Sequence, residues 1–441
     1  MIIHEVETYS QNQMKALQLG RLQETLKRVY RNVPFYQRKF DELGLKPEDI
    51  TSVDEISKLP LTVKSDLRNS KPFELFATSM KEVVRIHASS GTSGSPTIVG
   101  YTQNDISHWA DIVARAIAIA GGEVDSVFQN AYGYGLFTGG LGLHYGGERL
   151  GITTIPISGG NTTRQINIIE VCKPTVIAGT PSYILRIAEE MERMGKDPLE
   201  CSLKYGIFGA EPWSEELRKV LETKLGIKAC DIYGLSEVMG PGVAMECHEA
   251  QNGLHIAEDH FIVEVINPDT LQPVADGEEG ELVFTSLTKE ASPIIRYRTG
   301  DIASISRGKC SCGRTTIRMS RVKGRIDDML IIRGVNVFPL EIEECLLRNV
   351  DLVPHYQVHL LYKDAMDRVE LHVELNEQIY RNCNGDLMSD YIQSVTRKIQ
   401  HDMKNHCLVS MNVKVQAPGS IPRSEGKAIR IIDHRKKGLP V

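Results

Sequence analysis

The run His87-Ala88-Ser89-Ser90-Gly91-Thr92-Ser93-Gly94-Ser95-Pro96-Thr97 concentrates hydroxyls and glycines in a stretch with too little apolar bulk to build a core. Val83, Val84 and Ile86 precede it in a strand-like pattern. Glycine lets backbone N–H groups converge on an anion without a Cβ in the way, and Ser and Thr hydroxyls add donors without adding charge, so such a loop suits a phosphate. A solvated Ser/Gly surface loop is the competing reading, and composition alone does not separate the two.

Four later stretches carry polar residues that core packing would not select. Asp231-Ile232-Tyr233-Gly234-Leu235-Ser236-Glu237 reads as an apolar strand ending in a turn with a carboxylate. Tyr297-Arg298-Thr299-Gly300-Asp301 sets an aspartate just past a glycine. Gly324-Arg325-Ile326-Asp327-Asp328 leads into an apolar run, and Pro422-Arg423-Ser424-Glu425-Gly426-Lys427 puts a lysine on a glycine-bearing loop. Each alone is a common turn, and Lys427 alone reads as a solvated lysine in a basic tail. Ala131 to Gly140 alternates aromatics with glycines, but Thr138 stands where a G-x-G-x-x-G fingerprint needs its third glycine. Small residues beside Tyr132, Tyr134 and Phe137 could instead leave a flat apolar slot for a planar ligand; aromatics packed over a glycine-rich bend are the alternative.

Cys310-Ser311-Cys312-Gly313 is a tight C-x-C pair, with Cys247, His248 and His255 upstream. Three thiolates, Cys247, Cys310 and Cys312, with one imidazole would make a closed tetrahedral Zn²⁺ site with no open position for catalysis. His255 is the preferred fourth ligand over His248, the alternative, because His248 adjoins Cys247 and is poorly placed to reach a metal that Cys247 already faces. Free loop cysteines are the competing reading.

The elements that must position these groups follow from periodicity. Residues 11 to 43 are expected to be helical until Asn32-Val33-Pro34 breaks them, and Thr102-Gln103-Asn104-Asp105 caps an apolar helix through Ile119. Strand-like runs at 153–157, 176–179 and 205–209 then alternate with helical runs at 163–171 and 183–194, the βαβ pattern of a mostly parallel sheet. Ligands gather at the carboxyl ends of such strands. Short strands and tight turns after Asp259 predict a small antiparallel subdomain. A composition shift near Gly324 to Asp328 opens a last unit, with strands at 358–361, 369–375 and 413–415 and a helix at 391–403.

The 441 residues allow two or three domains, and 24% charged with 41% hydrophobic residues is an ordinary globular balance. A formal charge of −6 gives no reason to expect nucleic acid, and no apolar run approaches a bilayer span. Nine cysteines behind a polar N-terminus without a secretory segment point to a reducing compartment, so the cytoplasm is expected.

Taken together and in order, these stretches resemble the acyl-adenylate-forming superfamily of acyl-CoA synthetases, adenylation domains and luciferase. Gly209-Ala210-Glu211-Pro212-Trp213, Glu258-Asp259-His260-Phe261, Arg333 to Pro339 and Pro422 to Lys427 are similar to its phenylacetate-CoA ligase branch. The fold this implies is α/β: a large N-terminal domain (1–326) of mostly parallel sheets plus a small antiparallel subdomain, binding AMP and the acyl group. A small mobile α+β C-terminal domain (327–441) follows and carries the catalytic lysine. The activity implied is ATP-dependent adenylation of a phenylacetate-like aryl acid, then transfer of the acyl group to coenzyme A with release of AMP. A carboxylate is a poor electrophile, and charge builds as its oxygen nears the α-phosphate, so fixed cations and donors lower the barrier most.

On that resemblance Lys427 bridges the two anions, and Glu237 holds Mg²⁺ against the phosphates. Ser89, Ser90, Gly91, Thr92, Ser93 and Gly94 cradle the phosphates, while Gly209, Ala210, Glu211 and Pro212 line the adenine. Asp231, Ile232, Tyr233, Gly234 and Ser236 belong to the nucleotide site, Asp301 takes the ribose hydroxyls and Arg325 touches phosphate. Asp327 is the hinge. Tyr132, Tyr134 and Phe137, with Gly209, form the acyl pocket, and relatives with a similar Cys-x-Cys-Gly-Arg segment favour Zn²⁺. Ser95 departs from the family's usual Gly-Lys-Pro, so a weaker grip on the outer phosphates is expected. Small-molecule substrates, no membrane and a homodimer complete the expectation. The alternatives are another acid or acceptor, or a catalytically silent nucleotide-binding protein; no G-x-S-x-G elbow favours a serine hydrolase.

Overall fold

Pro34 sets the first boundary. Lacking an N–H and carrying a fixed φ, it suits the first position of a helix and not the interior of one, so the chain forms Gln11–Asn32, pauses at Val33 and restarts as Pro34–Glu42. The computed structural model describes residues 1–71, 73–89, 97–332, 335–363 and 366–435. They fall into two compact units: Met1–Gly179 with Glu200–Ala210 and Ile227–Val322, and Thr180–Leu199 with Glu211–Gly226 and Lys323–Val441.

In the first unit the helix Gln103–Ile119 starts as expected. Thr102 Oγ1 accepts the Asp105 N–H at 3.1 Å and Asp105 Oδ2 accepts the Thr102 N–H at 2.9 Å, a reciprocal cap. Among the described residues a nine-stranded sheet holds Thr153–Ile155, Val127–Asn130, Val176–Gly179, Tyr205–Gly209 and Lys228–Leu235 as parallel neighbours in that order. Every residue of Val176–Gly179 is buried, as a parallel strand covered on both faces requires. At Lys228–Leu235 the direction reverses, and Gly240–Glu246 pairs back antiparallel. The turn between them carries Ser236 and Glu237. A Cβ on Gly234 would lie 1.8 Å from the Gly240 carbonyl oxygen, so only glycine permits that closure. Phe261–Ile266, Gly280–Ser286 and Tyr297–Ala303 form the expected antiparallel subdomain.

In the second unit a sheet ordered Asn412–Gln416, Met366–Leu375, Leu352–Lys363, Ile431–Asp433 has an antiparallel centre and parallel outer pairs. Val358, Leu371, Ile392 and Met403 are fully buried in its core, which joins this sheet to the helix Asp390–His406. The strands at 358–361 and 369–375 are the inner parts of longer ones, because polar residues at their ends still pair through the backbone.

Candidate active site and metal cradle

Parallel pairing sets Gly209 opposite Ile232, and a Cβ on Gly209 would lie 2.2 Å from the Ile232 carbonyl oxygen. Ala210, next in the chain, is held at φ +68°, a left-handed conformation uncommon for a residue with a side chain. Such strain marks places where surrounding structure dictates the backbone. Asp231 donates its N–H to Glu246 Oε2 at 3.0 Å, and its carboxylate lies 3.7 Å from the Arg321 guanidinium. Tyr233 Oη donates to Asp301 Oδ2 at 2.6 Å, joining two expected nucleotide residues from distant strands. Asp301 is 5% exposed and Glu237 8% exposed. The Ser236 hydroxyl lies 3.2 Å from that of Thr138.

Ser89 donates its N–H to the Thr97 carbonyl at 3.0 Å, closing the neck of the hydroxyl-rich run. Ser90, Gly91, Thr92, Ser93 and Gly94 lie outside the described residues, as does Ser95. Tyr132 is buried, whereas Phe137 stands exposed. Tyr134 Oη accepts from Asn130 Nδ2 at 2.9 Å, and burial pushes its phenol up to about 12.

In the second unit the lysine loop is clamped by Glu211 and by Thr180 and Ser182, two residues that sequence reading did not single out. Gly426 offers its carbonyl to the Thr180 hydroxyl at 2.9 Å and the Ser182 hydroxyl at 3.1 Å. Glu211 accepts the Ala428 N–H through one oxygen and the Ser182 N–H through the other, each at 2.8 Å. Burial pushes the Glu211 carboxyl up, with those donors pulling back. Pro212 is exposed beside it. Lys427 itself is solvent-exposed. Atoms crowded about its stem lower its ammonium first, Glu211 raises it, and Arg325 lowers it further. Arg325 Nε donates to Asp327 Oδ1 at 3.0 Å within the turn Ile326–Asp328. Thr180 and Ser182 gave no signal because a hydroxyl at a helix start reads as a cap.

Cys247, His255, Cys310 and Cys312 converge with their ligand atoms all within 4.8 Å of one another. Cys310 and Cys312 sit on a knuckle in which the Gly313 N–H meets the Cys310 carbonyl at 3.0 Å and Gly313 takes φ +94°, open to glycine without penalty. The Cys247 and Cys310 sulfurs are 3.8 Å apart, and Cys312 Sγ is 3.4 Å from His255 Nε2. A tetrahedral Zn²⁺ with bonds of about 2.3 Å to sulfur and about 2.0 Å to nitrogen needs edges of about 3.8 Å and about 3.5 Å, so the donor set fits. Thr316 Oγ1, 3.0 Å from His255 Nδ1, turns the other ring nitrogen toward the thiols. The hydrogen bond from Cys247 holds the Cys312 thiol well down and pushes the Cys247 thiol correspondingly up. His248 points elsewhere, edge-on to Tyr205 at 5.1 Å and 3.4 Å from Glu249.

Known proteins carry the same architecture. The family described as AMP-binding enzyme matches residues 10–288, and AMP-binding enzyme C-terminal domain matches 334–435. The phenylacetate-coenzyme A ligase of Escherichia coli (strain K12) is 52% identical over 98% of this chain and 97% of its own. The chain belongs to the phenylacetate-CoA ligases of the AMP-binding enzyme family. The Thermus thermophilus member of these ligases is 47% identical over 98% of this chain and 99% of its own. A solved 2-hydroxyisobutyryl-CoA ligase with R3-HIB-AMP is similar with TM-score 0.91 and 27% identity, covering 98% of this chain and 92% of that one. As a member of this ligase family the chain is an enzyme, an AMP-forming acid–thiol ligase that binds ATP or AMP and CoA. No helix among the described residues is long and apolar enough to cross a membrane.

Proposed function

We propose that this ligase activates phenylacetate. A carboxylate oxygen attacks the α-phosphate of ATP, the bond to the bridging oxygen breaks, and pyrophosphate leaves with the bonding electrons. The thiol sulfur of CoA then attacks the acyl carbon and AMP departs. Identity of 52% along nearly the entire chain to a phenylacetate-coenzyme A ligase carries this reading.

Lys427 supplies the ammonium that offsets charge between the approaching carboxylate and the α-phosphate, a task suited to a point charge on a flexible stem. Asp301, oriented by Tyr233, accepts from the ribose hydroxyls. Gly209, Ala210, Glu211 and Pro212 line the adenine, with Asp231, Ile232, Gly234 and Ser236 completing the nucleotide site. Tyr132, Tyr134 and Phe137 receive the aryl group. Glu237 would hold Mg²⁺, which neutralises phosphate charge when bound. Cys247, His255, Cys310 and Cys312 would hold a structural Zn²⁺, since four protein donors leave no open position. We place the domain boundary at 326/327, with Asp327 as hinge and Lys427 in the C-terminal part; Arg325 meets phosphate. A homodimer in a reducing cytoplasm, in keeping with nine cysteines none of which forms a disulfide among the described residues, completes the reading.

The test is AMP formation across a panel of aryl and alkyl acids. Phenylacetate should give the highest kcat/KM, with AMP release dependent on CoA. Preference for an alkyl acid by tenfold or more would replace the substrate assignment. Elemental analysis of chelator-free protein should find one zinc per chain.

A further inference from the structure

Lys289 follows the strand Gly280–Ser286 and is 1% exposed, yet its Nζ has no hydrogen-bond partner among the described residues. A buried ammonium is costly unless something answers its charge. What answers it is a ring face: Nζ stands 3.8 Å from the centroid of Tyr101, which recovers only part of the lost hydration. Burial lowers this ammonium to about 8, while the negative charges of Asp105 and Glu237 pull it back up, so it stays protonated at neutral pH.

The surroundings hold the lysine rigidly. Asp105 takes the N–H groups of Glu290 at 2.6 Å and Ala291 at 2.9 Å, one on each oxygen. On the other side Thr288 Oγ1 lies 2.7 Å from His260 Nδ1, and His260 Nε2 is 3.0 Å from Asp259, itself paired with Arg115 at 3.0 Å. The ring beneath Nζ is tied to the candidate site at two points. Tyr101 Oη donates to the Met239 carbonyl at 2.7 Å, two residues past Glu237. His87, the residue that leads into the hydroxyl-rich run, packs edge-on against Tyr101 at 5.4 Å. That run, 87–97, contains no lysine or arginine.

We infer that Lys289 is an anion-binding residue of the adenylation site, its preformed ammonium meeting the outer phosphates of ATP and the pyrophosphate that leaves. The inference rests on the adenylation reading above. Lys289 moves no proton in this role: the bond to the bridging oxygen breaks, its electrons go to pyrophosphate, and the fixed cation stabilises that growing charge. The orphaned ammonium is then explained, because its partner arrives with the substrate.

The test is Lys289→Met in the full chain, which keeps the apolar bulk and removes the charge. Phenylacetate-dependent exchange of pyrophosphate into ATP should lose about 100-fold in kcat/KM for ATP, with KM for the acid unchanged within about twofold. Conversion of supplied phenylacetyl-adenylate and CoA to thioester should be unaffected, and the melting midpoint equal to or above that of the parent. Undiminished exchange overturns the inference, as does a raised KM for the acid with ATP unaffected. A lower midpoint with parallel loss in both half-reactions also overturns it, since a purely structural lysine gives that pattern. If the parent exchanges pyrophosphate with no acid, the adenylation reading itself falls, a result separable from a parent that exchanges and a variant that matches it.

Discussion

Lys289 and Lys427 are assigned to the same polyanionic substrate and are held in opposite ways. Lys289 is 1% exposed, in a segment past a strand that Asp105 and His260 fix, and its Nζ makes no hydrogen bond among the described residues. Lys427 is exposed, and the backbone on either side of it is pinned by Thr180, Ser182 and Glu211. A buried cation needs no reorganisation when charge develops but strains the empty fold. An exposed one costs the fold little and must be brought into place. On that assignment stability is exchanged for readiness at Lys289, and the two are kept apart at Lys427.

The largest expected effect tests the exposed partner. Lys427→Ala should cut acid-dependent pyrophosphate exchange by about 10²–10³-fold, the loss typical for one donor to developing charge. Its unfolding free energy from chemical denaturation should stay within about 0.5 kcal/mol of the parent, as for other surface changes. A large loss of stability would erase the distinction between the two lysines.

The pH dependence of stability gives a second handle, through Lys289 and a buried acid. Burial raises the Glu258 carboxyl to about 7, against the N–H it accepts from Ile317 at 2.7 Å. Between the unfolded value near 4.3 and about 7 the folded chain holds the extra proton, so stability falls as pH rises through that window, by up to about 3 kcal/mol. Lys289 runs the other way. Between about 8 and the unfolded value of about 10.4 the unfolded chain holds the extra proton, and stability rises with pH. Urea unfolding at stepped pH should show the first slope vanish in Glu258→Gln and the second in Lys289→Met.

At neutral pH, Lys289→Met should raise unfolding free energy by about 2 kcal/mol, since an apolar residue replaces a desolvated ammonium that makes no hydrogen bond among the described residues. The smallest effect concerns the cysteine cradle, where buried polar atoms answer one another. Thr316→Val releases His255 Nδ1 and should weaken Zn²⁺ affinity about tenfold in a competition titration with a chromogenic chelator, leaving the four donors in place.

Features whose cause is local were legible in sequence. The break at Pro34, the Thr102–Asp105 cap and the Cys310–Cys312 knuckle depend on residues a few positions apart, and each appears where expected. The reversal after Lys228–Leu235 was not legible, because antiparallel return depends on Gly234 and Gly240 meeting face to face. Nor was the clamp on the lysine loop, since Thr180 and Ser182 lie about 245 positions from Gly426, 246 and 244 by count. Lys289, in the run Thr288-Lys289-Glu290, has the look of a solvated charge pair, and no spacing marks it otherwise.

By itself the order of residues determined the chemistry on offer: a hydroxyl-rich run, a carboxylate after a strand, an aspartate past a glycine, a late lysine and four candidate metal donors. Those depend on residue type and short spacing, which a linear chain specifies. Tertiary structure alone decided which imidazole faces the thiols, which tyrosine orients Asp301 and which lysine loses its water. Burial and distant contact are properties of the packed chain, set by every segment that closes around a residue.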